Sequence, residues 1–208
     1  MTELVAARVP ARRAMVERGI LDAAWTLMGQ EGVAALSVRE VARSVGLRQQ
    51  SLTYYFPTKQ DLLDALFADG FADLKRAFER LPPPSDPTQG VVDVADAFVR
   101  YCVAHPARYQ LMFQRSVPGF EPGERSHLVA LDVLGVLRQR LGAAGVTAVA
   151  DIAIVRSLMS GIAAEQIAND STGRTFVDQT ERAIRYVLAA LTTSTPRPTR
   201  KRTNARGR

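Results

Sequence analysis

At 208 residues, with 47% hydrophobic and 23% charged side chains, the chain has ordinary globular usage and room for one large domain or two small ones. Its single cysteine, Cys102, excludes an intrachain disulfide framework and a CxxC site, so a reducing, cytoplasmic setting is expected. The net charge of +6 is uneven: residues 1–59 carry +3, 60–196 carry −3 and 197–208 carry +6, which suits a polyanion-binding N-terminal part joined to a body with another task.

No apolar run reaches the ~18 residues of a membrane span. The N-terminus lacks the continuous apolar stretch of a signal peptide. Helical periodicity dominates. "RRAMVERGILDAAWTLMGQEG" places Met15, Ile20, Ala24, Leu27 and Met28 on one face and ends at Gly32. "SVREVARSVG" opens with a capping box, Ser37 with Glu40, over an apolar stripe of Val38, Val41, Ala42 and Val45. "RQQSLTYY" is a short polar helix. A longer helix starts at Thr58, with Asp61 at the matching box position, and runs through Leu62, Leu63, Leu66, Phe67, Phe71, Leu74 and Phe78. "LPPPSDP" (81–87) breaks the pattern. Further helices are expected at about 88–104, 106–115, 124–142, 147–169 and 174–192, each boundary good to about 2–4 residues. "TSTPRPTRKRTNARGR" (193–208) reads as a disordered basic tail.

Two short helices joined at Gly46 fit a helix-turn-helix. The first is amphipathic. The second has Leu52 to bury, with Tyr55 or Phe56 as a further contact, so its other side chains must face outward. A B-DNA major groove, about 12 Å wide, admits such a helix. Gln49 and Gln50 can pair with adenine N6 and N7, and Arg48 with guanine or a phosphate. Ser51, Thr53 and Tyr54 carry hydroxyls suited to phosphate oxygens, and Lys59 adds a cation beside the free N–H groups of the next helix. A solvated surface helix is the competing reading.

The stretch "ILDAAWTLMGQEGVAALSVREVARSVGLRQQSLTYYFPTKQDLLDALF" (20–67) resembles the tetracycline-repressor (TetR) family of transcriptional regulators. The resemblance implies an all-α fold: a three-helix DNA-binding domain over 11–57, then a helical ligand-binding and dimerisation domain over 58–192. It implies DNA-facing positions at Ser37, Arg48, Gln49, Gln50 and Ser51, and at Thr53, Tyr54, Tyr55 and Lys59. The family usually has tyrosine where this chain has Thr53. Tyr54 supplies that phenol from one position along, or Thr53 serves with a shorter reach.

In the second half, "YCVAHPARYQLMF" (101–113) is similar to the segment "HPxxYxLMF" of one large subgroup of that family, and "SLMSGIAAEQIAND" (157–170) to the small-residue helix that follows there. Phe98, Tyr101, Cys102, Met112 and Phe113, with Met159 and Ile162, are candidates to line a cavity. Phe71, Leu74 and Phe78 would bring the long helix to it. Glu165 and Gln166 would orient a ligand. Plain core packing competes at each of these positions. Ser157, Ser160, Gly161, Ala163 and Ala164 permit close helix approach. Phe176, Val177, Ile184, Val187, Leu188 and Leu191 offer an apolar face. A four-helix bundle across a dimer two-fold is expected from them, with an intrachain bundle as the alternative.

No His, Cys and Asp set has metal or catalytic spacing, and no glycine-rich phosphate loop appears. The expectation is a homodimeric repressor, without cofactor, that leaves a near-palindromic double-stranded operator when a small hydrophobic effector binds. The alternatives are a DNA-binding dimer without ligand response and a small all-α enzyme or carrier.

Overall fold

The computed structural model describes residues 2–194, with side chains over 12–193. Among these residues every regular element is helical. In chain order they are α1 (Thr2–Glu31), a 3-10 turn (Val33–Ala35), α2 (Val38–Ser44), α3 (Gln49–Thr53), α4 (Lys59–Glu79) and α5 (Pro87–Ala104). Then come α6 (Pro106–Phe113), α7 (Glu124–Ala143), α8 (Val149–Asn169), a second 3-10 turn (Val177–Gln179) and α9 (Thr180–Ser194). The basic tail expected over 193–208 falls outside the described residues from 195 on, and 193 and 194 complete α9.

The buried side chains form two clusters. The first, the head, gathers Ile20, Ala24, Trp25 and Met28 of α1 with Val41, Ala42, Leu52 and Phe56. Met15, expected on the same face of α1, is 75% exposed. It lies five residues before Ile20, and at about 100° per residue that places it some 140° away from the Ile20, Ala24 and Met28 row. The second cluster, the body, is built around α5, whose Val91, Val94, Ala95, Val99 and Cys102 are buried against α4, α7, α8 and α9.

One helix feeds both clusters. Leu62, Leu63 and Leu66 of α4 enter the head, while Phe67, Phe71, Leu74 and Phe78 enter the body. The start of α4 is fixed by a complete capping box: the Asp61 N–H donates to Thr58 Oγ1 at 3.1 Å, and the Thr58 N–H donates to Asp61 Oδ2 at 2.9 Å. Its 21 residues make a rod about 32 Å long at roughly 1.5 Å per residue. Asp86 caps α5 by accepting from the Gln89 N–H at 2.9 Å, and Pro87 takes the first helical position.

Two expectations need correction. Residues 174–179 are not helix: after a loop and the 3-10 turn, α9 begins at Thr180. The cause is Gln166, fully buried on α8. Its Oε1 accepts from the Phe176 and Val177 N–H groups at 2.9 and 3.0 Å, and its Nε2 donates to the Asp170 and Gly173 carbonyls. Gln166 therefore binds a loop rather than facing a cavity. The large apolar residues offered as a dimer face are also used within the chain, because Val177, Ile184 and Leu188 are buried in the body cluster and Ala163 is buried with them. The outward faces of α8 and α9 carry two of the small residues offered for close helix approach, Ser157 and Gly161, with Ile154 and Tyr186.

Candidate nucleic-acid interface and ligand cavity

The turn between α2 and α3 depends on Gly46, whose φ of +70° lies in the left-handed region that side chains disfavour. There the Gly46 N–H donates to Arg43 O and the Leu47 N–H to Ala42 O, at 3.1 and 2.8 Å, closing the end of α2. Ser37 caps the other end, its Oγ accepting from the Glu40 N–H at 3.4 Å. α3 then buries Leu52 completely, with Phe56 following it into the head. Arg48, Gln49, Gln50, Ser51, Tyr54 and Lys59 are all exposed; Ser37, Thr53 and Tyr55 are half-buried.

The structure separates Thr53 from Tyr54. Thr53 Oγ1 donates back to Gln50 O of its own helix at 2.8 Å, whereas Tyr54 is 69% exposed and presents its phenol outward. The Tyr54 ring meets Tyr55 edge-on at 5.3 Å, and Arg13 of α1 lies over both rings, at 5.3 and 5.9 Å from their centroids. A shallow concavity beside α3 is lined by Ser37, Arg39, Arg43, Leu47, Arg48 and Gln49, with Glu40 as its one carboxylate. Arg39 and Arg43 were missed in the sequence. The available signal is their spacing of four on α2, opposite its apolar stripe. Together with Arg48, they have no carboxylate within ion-pair distance among the described residues.

The body encloses a cavity of about 390 Å³, within the range of roughly 300–1,000 Å³ usual for small-ligand pockets. Phe67, Phe71, Leu74 and Phe78 of α4 form one wall, facing Phe98 of α5, Met112 and Phe113 of α6 and Met159 of α8. Phe113 stands edge-on to both Phe71 and Phe98, with centroids 5.2 Å apart in each pair. α4 and α6 approach so closely that a Cβ on Gly70 would lie 2.5 Å from Met112 Sδ. Four of the expected wall residues lie outside the cavity. Tyr101 Oη donates to Gly70 O at 2.9 Å, Cys102 is fully buried in the core, and burial pushes its thiol well above its ordinary value. Ile162 packs at the edge of the body cluster, and the exposed Glu165 accepts from Asn169 Nδ2 at 2.7 Å.

The polar part of the cavity wall comes from Arg115, His127, Arg156 and Ser160. These were also missed, since they lie on three separate stretches. Arg115 follows α6 with φ +48°, a conformation that costs a non-glycine residue roughly 1–2 kcal/mol. The next residue is anchored, Ser116 Oγ donating to Gln110 O at 2.6 Å.

A polar node joins head to body. Asp69 of α4 accepts from Trp25 Nε1 of α1 at 2.8 Å, from Arg18 of α1, and from Arg108 of α6 at 3.4 Å. Arg108 also lies over the Trp25 ring, 4.7 Å from its centroid. Burial opposes ionisation of Asp69, but Arg18 and the Trp25 N–H outweigh it and hold the carboxyl below its ordinary value.

A helix-turn-helix ahead of an all-helical, cavity-bearing body defines the class of a helix-turn-helix regulator. The pattern of the bacterial regulatory proteins, tetR family, matches residues 20–66, and that of the tetracyclin repressor-like C-terminal domain matches 91–192. The chain belongs to the tetR family, whose members are transcriptional regulators and not enzymes. It is 28% identical over 135 residues to the HTH-type transcriptional regulator Rv1816 of Mycobacterium tuberculosis, a match covering 63% of this chain and 58% of that protein. The chain thus matches less than two thirds of that relative's length. Its fold is similar to a protein of unknown function from Rhodococcus sp. RHA1, with a TM-score of 0.68 and 23% identity over 84% of this chain and 94% of that one. It is similar as well to a TetR variant from Acinetobacter baumannii AYE in complex with minocycline, with a TM-score of 0.59 and 20% identity over the same shares. No helix among the described residues is long and apolar enough to cross a membrane.

Proposed function

We propose that the chain is a homodimeric transcriptional repressor that holds a near-palindromic operator through α3 and leaves it when a small ligand with an apolar body fills the cavity. Residues 11–57 are the DNA-binding part and 58–192 the ligand-binding and dimerisation part. The observation that carries the reading is α3 itself, a helix that buries Leu52 and turns Gln49, Gln50, Ser51 and Tyr54 outward. Gln49 and Gln50 read adenine edges, and Arg48 reads guanine or holds a phosphate. Ser51, Tyr54 and Lys59 contact phosphates, assisted by Ser37, Thr53 and Tyr55 and by the Arg39 and Arg43 pair. The outward faces of α8 and α9 pair across the two-fold.

Release follows from α4, which belongs to both clusters. A ligand against Phe71, Leu74 and Phe78 tilts the rod and changes the separation of the two α3 helices, provided it prefers the DNA-free arrangement. The test is selection of bound fragments from random duplexes by the purified chain. An enriched inverted repeat, with half-sites about one helical turn apart, is expected. Recovery of unenriched sequence would overturn the reading.

A further inference from the structure

We propose that the cavity selects an amphipathic acid, with a carboxylate at the mouth and an apolar body among the phenylalanines. This rests on the reading of the cavity as the effector site and names the effector's chemistry. The inner wall is aromatic and aliphatic. Its charged and polar members are Arg115, His127, Arg156 and Ser160, and no Asp or Glu lines it. Arg115 comes from the segment after α6, His127 from α7 and Arg156 from α8, so three separate elements bring basic groups to one rim. Elsewhere in the body, Lys75, Arg76, Arg100 and Arg108 each have a carboxylate partner, while Arg80, Arg125, Arg138 and Arg140 have none within ion-pair distance among the described residues and line no part of the cavity. Arg115 and Arg156 have none within ion-pair distance among the described residues.

Two forces compete for the sign of the ligand. A cluster of phenylalanine faces attracts cations. Arg115, His127 and Arg156 are exposed, so the two guanidiniums stand at the solvent side of the cavity; there they repel cations and attract anions, and they carry full charges where the rings carry a quadrupole. The anion therefore wins, and a guanidinium matches a carboxylate with two parallel N–H bonds. The left-handed φ of Arg115 agrees with this, since glycine or asparagine would hold the same turn without strain but would bring no charge to the rim.

The experiment is calorimetric titration of the full chain with decanoate and 2-naphthoate, against decanol, 2-naphthol and decyltrimethylammonium. At least one acid should bind about tenfold more tightly than its neutral counterpart, the scale of a charge-assisted pair, and the ammonium should bind most weakly. Whichever acid binds better tells an acyl chain from a fused ring. Arg115→Gln and Arg156→Gln should each weaken the acid about tenfold while shifting the neutral probe by less than about twofold. Ala130→Trp, on the cavity wall, should abolish binding of acid and neutral probe alike, with native helicity as the control for folding. If neutral or cationic probes bind best and Ala130→Trp removes them, the cavity reading stands and the acid proposal falls. If the acids bind unaffected by Ala130→Trp, they sit elsewhere and the proposal also falls. If no probe binds, both readings fall.

Discussion

Leu66 and Phe67 are neighbours on α4, yet they enter regions packed in opposite ways. Leu66 is fully buried in the head, in one cluster with Ile20, Trp25, Met28, Leu52 and Phe56, and lines no part of the body's cavity. Phe67 belongs to the body and borders a cavity of about 390 Å³. A close-packed region holds side chains and backbone in one arrangement. A region with unfilled space forgoes dispersion contacts and stays open to a guest. The head is thus suited to presenting α3 rigidly, and the body to changing its packing, while the same rod runs through both.

The sharpest way to break this comparison is to truncate one side chain in each region. Leu66→Ala should cost about 2–5 kcal/mol of stability. Leu134→Ala, at the cavity wall, should cost under about 1.5 kcal/mol, because this half-buried side chain already keeps part of its apolar surface in reach of water. Denaturant unfolding measures both, and equal losses would mean that the body is as tightly closed as the head. Next in size is Gln166→Leu. It leaves the Phe176 and Val177 N–H groups without their acceptor, at roughly 1–3 kcal/mol each, and hydrogen exchange at those two amides should accelerate. Unchanged exchange would show that the loop holds itself.

Gln49→Ala and Tyr54→Ala probe the head from outside. Both side chains are exposed, so melting should hold steady while operator affinity falls by roughly 1–3 kcal/mol for the lost base contact and by less for the phenol. Native operator affinity in both variants would remove α3 from the interface. The smallest effect concerns the node between the regions. The carboxyl of Asp69 is held below its ordinary value in the folded chain, so its contribution is present above the ordinary carboxylate pKa of about 4 and is lost as pH falls through the lower folded value. Asp69→Asn should flatten the acid limb of the stability–pH curve, and an unaltered limb would detach Asp69 from acid unfolding.

Much of the fold was legible because its signals are local. Thr58 with Asp61, Ser37, and the prolines at 87 and 106 mark helix starts within a few residues of the periodicity they introduce. The start of α9 was not legible, since it follows a loop that Gln166 holds at Phe176, ten residues further along, through a side chain that folds back on it. An apolar stripe reveals that a helix face is covered but not by what, which is why Ile184 and Leu188 read equally as dimer contacts or internal core. The same limit governs the cavity. Phe98, Met112, Phe113 and Met159 line it, but Tyr101 and Cys102, on α5 with Phe98, turn elsewhere. The rim of Arg115, His127 and Arg156 has no spacing to read at all.

The shortest helix of the body carries a constraint of length. Arg108 of α6 joins the polar node, Leu111 enters the head, and Met112 and Phe113 enter the cavity, all within eight residues. Each added residue in a helix turns everything beyond it by about 100°. An insertion or deletion inside α6 would exchange the destinations of Leu111 and Met112, and no neighbouring substitution restores all three contacts at once. Past Arg115 and the anchored Ser116, the segment 117–123, which carries no regular helix, can absorb a change in length more readily. Among natural variants of this chain, then, α6 should keep its register while the stretch that follows it grows and shrinks.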